Sequence, residues 1–440
     1  MPELYDEAER REEQGRRQRI MDGTWREDAY KYLKRLLGAK RLDQAWGGKA
    51  VIDIGTNILL EDAESKSTLY ERPPRMRCVV DGVEVESASL LMNQMLDRAQ
   101  YSTLMQDVLA QVIGINDYCL RYELKVIDDA LVLLLHPTSP SMVLKAEPRE
   151  DDPRQMSKVC EEWHLDGKPV KRFWTDEVTY LTTMDGQLIE GTEQPHAQGA
   201  CPWITYHIHG RPQLFLPFYR SEVVESTYRV AMAYSYLDHN LFEASWSQRY
   251  TINLAPMGAD AQLSLDGTSA AVIDADPSSV LQLEQVDDSR PGSVGQWRPG
   301  ADPEVMGRAV ARLHGRATLA AGGSDLAVYR KSGNAESAYA MAITREMQRE
   351  AQIAMAPRMV ASDRLLADRI ALAANLQVPG VFPVDADWRV RYVALPPSAE
   401  ELARLEKAIE LGAMTMADVR LIIDPFASPD EVDRAIVPTD

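Results

Sequence analysis

The chain predicts an α+β fold, with helices and strands in separate stretches, and three observations carry that expectation. Val223, Thr227, Val230, Tyr234, Leu237, Leu241 and Ala244 alternate steps of four and three, which lays one continuous apolar stripe along a long helix. Between Tyr118 and Thr182 the pattern changes to short strand-like runs, cut at Asp128-Asp129, Asp151-Asp152-Pro153 and Asp166-Gly167. Towards the C-terminus, Ser398 with Glu401, Thr415 with Asp418 and Ser428-Pro429 with Glu431 each carry the signature of a capping box, so that end reads as short helices divided by Gly412 and Pro425.

Taken in order, Met1 to Ile20 is almost wholly charged or polar and reads as a solvated helix or a disordered arm. Trp25 to Leu37 has helical periodicity through Tyr30, Leu33 and Leu37, with Gly38 as its C-cap. Another helical segment runs from Ser87 to Ile113, its apolar positions being Leu91, Met95, Ala99 and Leu104 to Leu109. The strands Tyr118–Val126, Ala130–Leu135, Ser141–Ala146, Ser157–Leu165, Val170–Trp174 and Glu177–Thr182 read as a meander, and Trp203–His209 adds a further strand before Pro212 and Pro217.

Beyond the striped helix, Tyr250–Leu254, Gln262–Leu265, Ala270–Ile273 and Val280–Leu283 suggest a compact strand module with its hairpin turn at Asp266-Gly267. Asp260, Asp266, Asp274 and Asp276 make the surface of that module acidic. Asp302-Pro303, an N-cap followed by proline at the first helical position, opens a second helix lined by Val305, Ala309 and Leu313. A loop carrying Gly322-Gly323-Ser324-Asp325, Tyr329, Arg330 and Lys331 leads to a long alanine-rich helix that begins near Glu336. Ala340, Ile343, Met347, Ala351 and Ala354 form its apolar stripe, and Pro357 must kink or end it.

At 440 residues and 45% hydrophobic content, the chain has enough material for two or three folding units and a sizeable core. Its longest apolar runs, such as Ala130 to Leu135, are far too short to cross a bilayer, and the N-terminus lacks the apolar core of a signal peptide; a cytoplasmic product with no membrane anchor is expected. Cys78, Cys119, Cys160 and Cys201 stand forty-one residues apart each time, yet their flanks share no repeated unit. Without a Cys-x-x-Cys pair, reduced and mostly buried thiols are the expectation. The formal charge of −19 argues against a protein that grips nucleic acid by neutralising phosphates, but an acidic wall suits one that lets DNA pass without sticking.

The phosphate loop, the His-Glu-x-x-His helix, the Gly-x-Ser-x-Gly elbow and the dinucleotide fingerprint are all absent, so no catalytic residue and no cofactor are assigned. The nearest metal-ligand pattern is His207-x-His209 with Cys201 upstream, because alternate strand residues face one side. It leaves a metal-dependent cytoplasmic enzyme as one alternative, and a scaffold or interaction protein without a channel as another. Gly322-Gly323-Ser324 is either an anion cradle or a hinge, and Asp274 with Asp276 either a cation-binding or acid/base pair or a solvated edge.

In their order, these segments resemble the tailed-bacteriophage portal proteins of the head-to-tail connector family, over roughly Trp25 to Ile436. CEEWHLDGKPVKRFWTDEVTYL is similar to the family's strand meander, SGNAESAYAMA to the Ser-Gly-x-Ala step into its long helix, and LEKAIELGAMTMADVR to its C-terminal helix, Gly turn and Thr-capped helix. The resemblance implies a charged arm and helix at 1–37, an α/β wing at 38–220, stem helices at 221–247 and 302–319, and a small β-containing clip at 248–300 between them. It places a tunnel loop at 320–335, a long kinked helix returning to the wing at 336–395, and a helical crown at 396–440.

It further implies a non-enzymatic homo-oligomer, a ring of about twelve copies at one capsid vertex of the virion, made in the host cytoplasm. Its channel would pass double-stranded DNA during packaging and ejection. Its partners would be the terminase large subunit, a head-tail adaptor and the major capsid or scaffolding protein, with no membrane. Asp325, Tyr329, Arg330 and Lys331 would then meet the DNA, and the Val223 to Ala244 stripe would pack the stem.

Overall fold

Arg10, Gln14, Arg17 and Ile20 recur at helical spacing and all lie buried, so the polar N-terminal helix α1 (Glu7–Met21) is docked rather than solvated. The computed structural model describes residues 7–37, 55–128, 130–152, 155–208, 221–245, 248–252, 254–256, 283–285, 293–297, 302–321, 338–397 and 399–427. Arg10 donates to the Gln14 side chain at 2.7 Å and the Val143 carbonyl at 3.0 Å, and Arg17 to the Gly114 carbonyl at 3.2 Å. A buried guanidinium is tolerated when its donors meet acceptors, a pairing that hydropathy does not register. The helix crosses Gly114 so closely that a Cβ there would overlap the Met21 thioether. Helix α2 (Arg26–Leu37) follows as expected, while its Gly38 cap lies outside the described residues. Helix α3 (Ile58–Lys66) is capped by Asn57, which accepts from the Leu60 amide at 3.1 Å and donates to the Ile20 carbonyl at 2.6 Å.

After β1 (Arg75–Val80) and β2 (Val83–Glu84), the helix expected over 87–113 is two helices, α4 (Glu86–Arg98) and α5 (Tyr101–Ile115). Gln100 breaks them, with φ 53° and ψ 36° in the left-handed region. The reason lies in phase. At roughly 100° per residue, the buried stripe of α4 (Ala88, Met92, Met95) and that of α5 (Tyr101, Met105, Val108) point about 140° apart, so one straight helix buries only one of them.

The strands β3 (Asp117–Ile127), β4 (Ala130–Thr138), β5 (Val143–Pro148), β6 (Met156–Leu165), β7 (Lys168–Trp174), β8 (Val178–Thr182), β9 (Gln194–Pro195) and β10 (Trp203–His207) all form, but in two sheets rather than one meander. β5 to β9 run in sequence order, whereas β10 returns to pair with β3, from Trp203 opposite Arg121 to His207 opposite Asp117. Both faces of β3 are therefore covered. Leu120, Tyr122 and Leu124 enter the main core, and Cys119 joins a second, smaller core with Val143, Val159, Trp174, Cys201 and Trp203. The four cysteines are buried and unpaired, as expected.

Helix α6 (Ser221–Ser245) precedes β11 (Gln248–Ile252), β12 (Leu254–Pro256), β13 (Leu283–Gln285) and β14 (Ser293–Trp297), of which β14 was not foreseen. Helix α7 (Pro303–Ala321) starts as its sequence demands, with the Glu304 amide donating to Asp302 Oδ1 at 2.9 Å. Helix α8 (Ala338–Gln377) continues through Pro357 instead of ending there. Its buried face is Arg349, Gln352, Met355, Met359, Asp363, Leu366 and Ile370, whereas Ala354 of the expected stripe is exposed. Gln352 holds that register by bonding the Thr68 carbonyl and the Leu395 amide, and Arg349 by bonding Glu401 at 2.7 Å. β15 (Asp387–Arg391) then closes on β1, and α9 (Ala399–Glu410) and α10 (Met416–Ile423) follow. Thr415 and Asp418 form the capping box expected of them, and Ser398 and Ser428 to Glu431 lie outside the described residues.

Candidate functional site: a projecting helix pair and its anchorage

Helices α6 and α7 run antiparallel: Val230 meets Ala317, and one turn further along α6 Tyr234 meets His314, one turn back along α7. At the base the pair is firmly held. Tyr228 stacks on Trp25, the residue before α2, at 5.6 Å, and Thr227, Val230 and Ala231 are fully buried. His314, itself buried, shares a hydrogen bond with the Tyr234 hydroxyl through Nδ1 (3.1 Å) and has Nε2 3.6 Å from Glu61 on α3, so one imidazole lies against side chains of two other helices. Towards the other end the cover is lost: Leu241 is 47% exposed and Val305 60%. The apolar stripe of α6 is thus buried at its base, half-buried at Tyr234 and Leu237, and open at Leu241. The side chains of Val223 and Ala244 lie outside the described residues.

The segment inserted between the free ends of the pair is closed on itself. β11 pairs antiparallel with β14, Gln248 opposite Trp297, and β12 with β13, Leu254 opposite Gln285. The expected acidic positions Asp260, Asp266, Asp274 and Asp276, and the loop residues Asp325, Tyr329, Arg330 and Lys331, lie outside the described residues.

Where the pair is rooted, the main core contains a group that sequence reading missed. The Asp363 carboxylate on α8 is fully buried and accepts four phenolic hydroxyls: Tyr101 at 2.7 Å and Tyr206 at 3.1 Å on Oδ1, Tyr70 at 2.9 Å and Tyr392 at 2.7 Å on Oδ2. Burial pushes this carboxyl above its ordinary range, and the four donors pull it back; burial and the nearby carboxylate push the phenols upward in turn. With its lone pairs occupied, the group offers no open position to a substrate; what it does is pin five chain segments to one point. The tyrosines are scattered from Tyr70 to Tyr392, and no local spacing marks them.

Of the candidate ligand set Cys201, His207 and His209, the two described members are engaged elsewhere. Cys201 is packed in the second core, its thiol pushed upward by burial and directed at the Trp174 carbonyl. His207 pairs instead with Asp117 at 2.7 Å, and His209 lies outside the described residues. Among the described residues no three His, Cys, Asp or Glu side chains are grouped to hold a metal ion. Nor is any described helix long and apolar enough to cross a membrane.

No protein-family model matches the chain, and no curated protein matches it in sequence. Among solved structures it is similar to a chain from the neck of an empty gene transfer agent particle computed with C6 symmetry, at 12% identity over 88% of this chain and 92% of that one, with a TM-score of 0.36. It is also similar to a chain of the virion of a native gene transfer agent particle, at 13% identity over 84% and 90%, with a TM-score of 0.35.

Proposed function

We propose that the chain is a portal subunit, a non-enzymatic structural component of a phage-like head-tail assembly that forms a ring around a channel for double-stranded DNA. The observation that carries this reading is the antiparallel pair α6 and α7, buried at its base, uncovered beyond it, and bearing a closed strand unit at its free end. An apolar flank such as Leu241, Val305 and Leu313 is costly in water, and a ring of identical copies covers it by setting each pair beside its neighbour. In this reading the pair is the stem and the inserted strands are the clip, which docks the terminase large subunit during packaging and a head-tail adaptor afterwards. The wing side meets the capsid or scaffolding protein. Arg330 and Lys331 of the tunnel loop touch DNA phosphates, with Asp325 and Tyr329 beside them. About twelve copies close the ring at a single capsid vertex. Repeated over those copies, a charge of −19 per chain discourages DNA from sticking to the wall.

Negative-stain images of the purified chain, together with light scattering, test the proposal. Rings with a central hole support it. A monodisperse single chain at every concentration, with and without capsid components, overturns it.

A further inference from the structure

At the edge of the second core two arginines lie over one indole. The Arg121 guanidinium of β3 is 4.6 Å from the Trp174 ring centre, and that of Arg172 on β7 is 4.3 Å from the same ring and 4.9 Å from Trp163. Arg121 is only 9% exposed, yet no hydrogen bond or ion pair engages its guanidinium among the described residues. Arg172, half-buried, makes a single long bond of 3.4 Å to the Thr179 hydroxyl. The anions nearby are already occupied: Glu161 accepts the Trp174 indole N–H at 2.8 Å, and Glu123 pairs with Lys125 at 2.9 Å and lies 3.7 Å from His136. Burial lowers the pKa of both arginines, the mark of cations desolvated without full compensation.

We propose that Arg121 and Arg172 form a receptor for a side-chain carboxylate on an acidic peptide segment of another protein chain. Desolvated guanidinium donors that the protein leaves free are an unusual expense in a chain of net charge −19, and an incoming anion satisfies them. The planar fork of arginine matches a carboxylate with two parallel bonds, and stacking on Trp174 fixes the forks beforehand. Glu123 and Glu161 border the site and repel a phosphate dianion more strongly than a single carboxylate. Trp163, 41% exposed beside Arg172, supplies an apolar surface for the methylenes of a glutamate and the peptide backbone.

The test uses the full chain and a hexapeptide of alternating Glu and Ser, blocked at both ends, with its Gln counterpart and inorganic phosphate as parallel arms. Binding is read by tryptophan emission and by calorimetry. The expected result is saturable binding of the Glu peptide, weakened about tenfold in the Gln peptide and about tenfold in Arg121→Lys and Arg172→Lys, which keep the charge and lose the fork. Circular dichroism checks that both variants fold; if Arg121→Lys does not, the half-buried Arg172→Lys decides. Phosphate binding as tight as the Glu peptide, equal binding by the folded lysine variants, or no saturable signal in either method overturns the proposal.

Discussion

The Tyr234 hydroxyl lies 3.1 Å from Nδ1 of His314, and the two rings meet edge-on with their centres 5.8 Å apart. This contact ties α6 to α7 before their cover thins, and the other ring nitrogen of His314 lies 3.6 Å from Glu61. Tyr234→Phe keeps the ring packing and removes the hydroxyl, leaving a buried imidazole nitrogen without its partner at a cost of about 1–2 kcal/mol. Urea denaturation measures that loss. A wild-type unfolding midpoint in Tyr234→Phe would mean that ring packing alone holds the pair.

Asp363 serves four phenols at once, so its replacement should cost more than that of any one tyrosine. Asp363→Asn removes the charge from all four hydrogen bonds and introduces donors where donors already converge, for a loss of about 3 kcal/mol. Tyr392→Phe leaves three donors in place and should lose only about 1 kcal/mol. Denaturation of the two variants side by side checks the ordering, which reverses if the hub is not centred on the carboxylate.

Asp368, one turn beyond the hub, has its carboxyl pushed up to about 6 by desolvation, against the pull of Arg369 and Arg364. A carboxyl that holds its proton more tightly folded than unfolded stabilises the fold at low pH, and that contribution is lost as pH rises from about 4 through about 6. Asp368→Asn mimics the protonated form at every pH, so its stability should rise relative to wild type between pH 4 and pH 7. The side chain is exposed, and solvent screening keeps the difference below about 1 kcal/mol. Stability curves at several pH values test it, and an opposite slope would show that the arginines dominate.

Leu313 and Val305 sit 37% and 60% exposed on α7. Leu313→Asp and Val305→Asp should therefore leave single-chain stability within about 0.5 kcal/mol of wild type. In the proposed ring a neighbouring copy would bury those positions, so the same substitutions should abolish ring formation. Size-exclusion chromatography with light scattering separates the two effects, and rings formed at wild-type yield would remove this flank from the interface.

Much of the architecture was legible because its signals are local. Asp302-Pro303 starts α7 and Thr415 with Asp418 starts α10, since a cap is satisfied within one turn. The strands from Asp117 to Thr182 were bounded by their turns to within a few residues. Their division into two sheets was not, because β10 reaches β3 through pairing that no turn residue encodes. The long helix was foreseen and its face was not: Arg349 and Gln352 are buried through distant partners, Glu401 and Thr68, and a polar residue with a distant partner reads as solvent-facing.

By itself the sequence determined the α+β class, the striped helix with a second helix after it and the absence of familiar catalytic motifs, all of which follow from periodicity, capping and spacing. Only the tertiary structure decided that α1 is docked, that Tyr234 and Glu61 meet at His314, that Tyr70, Tyr101, Tyr206 and Tyr392 converge on Asp363, and that Arg121 and Arg172 share Trp174. The physical reason is range. Helix and strand signals act between residues a few positions apart, whereas buried polar groups are satisfied across the whole chain, and their partners are known only once the backbone has brought them together.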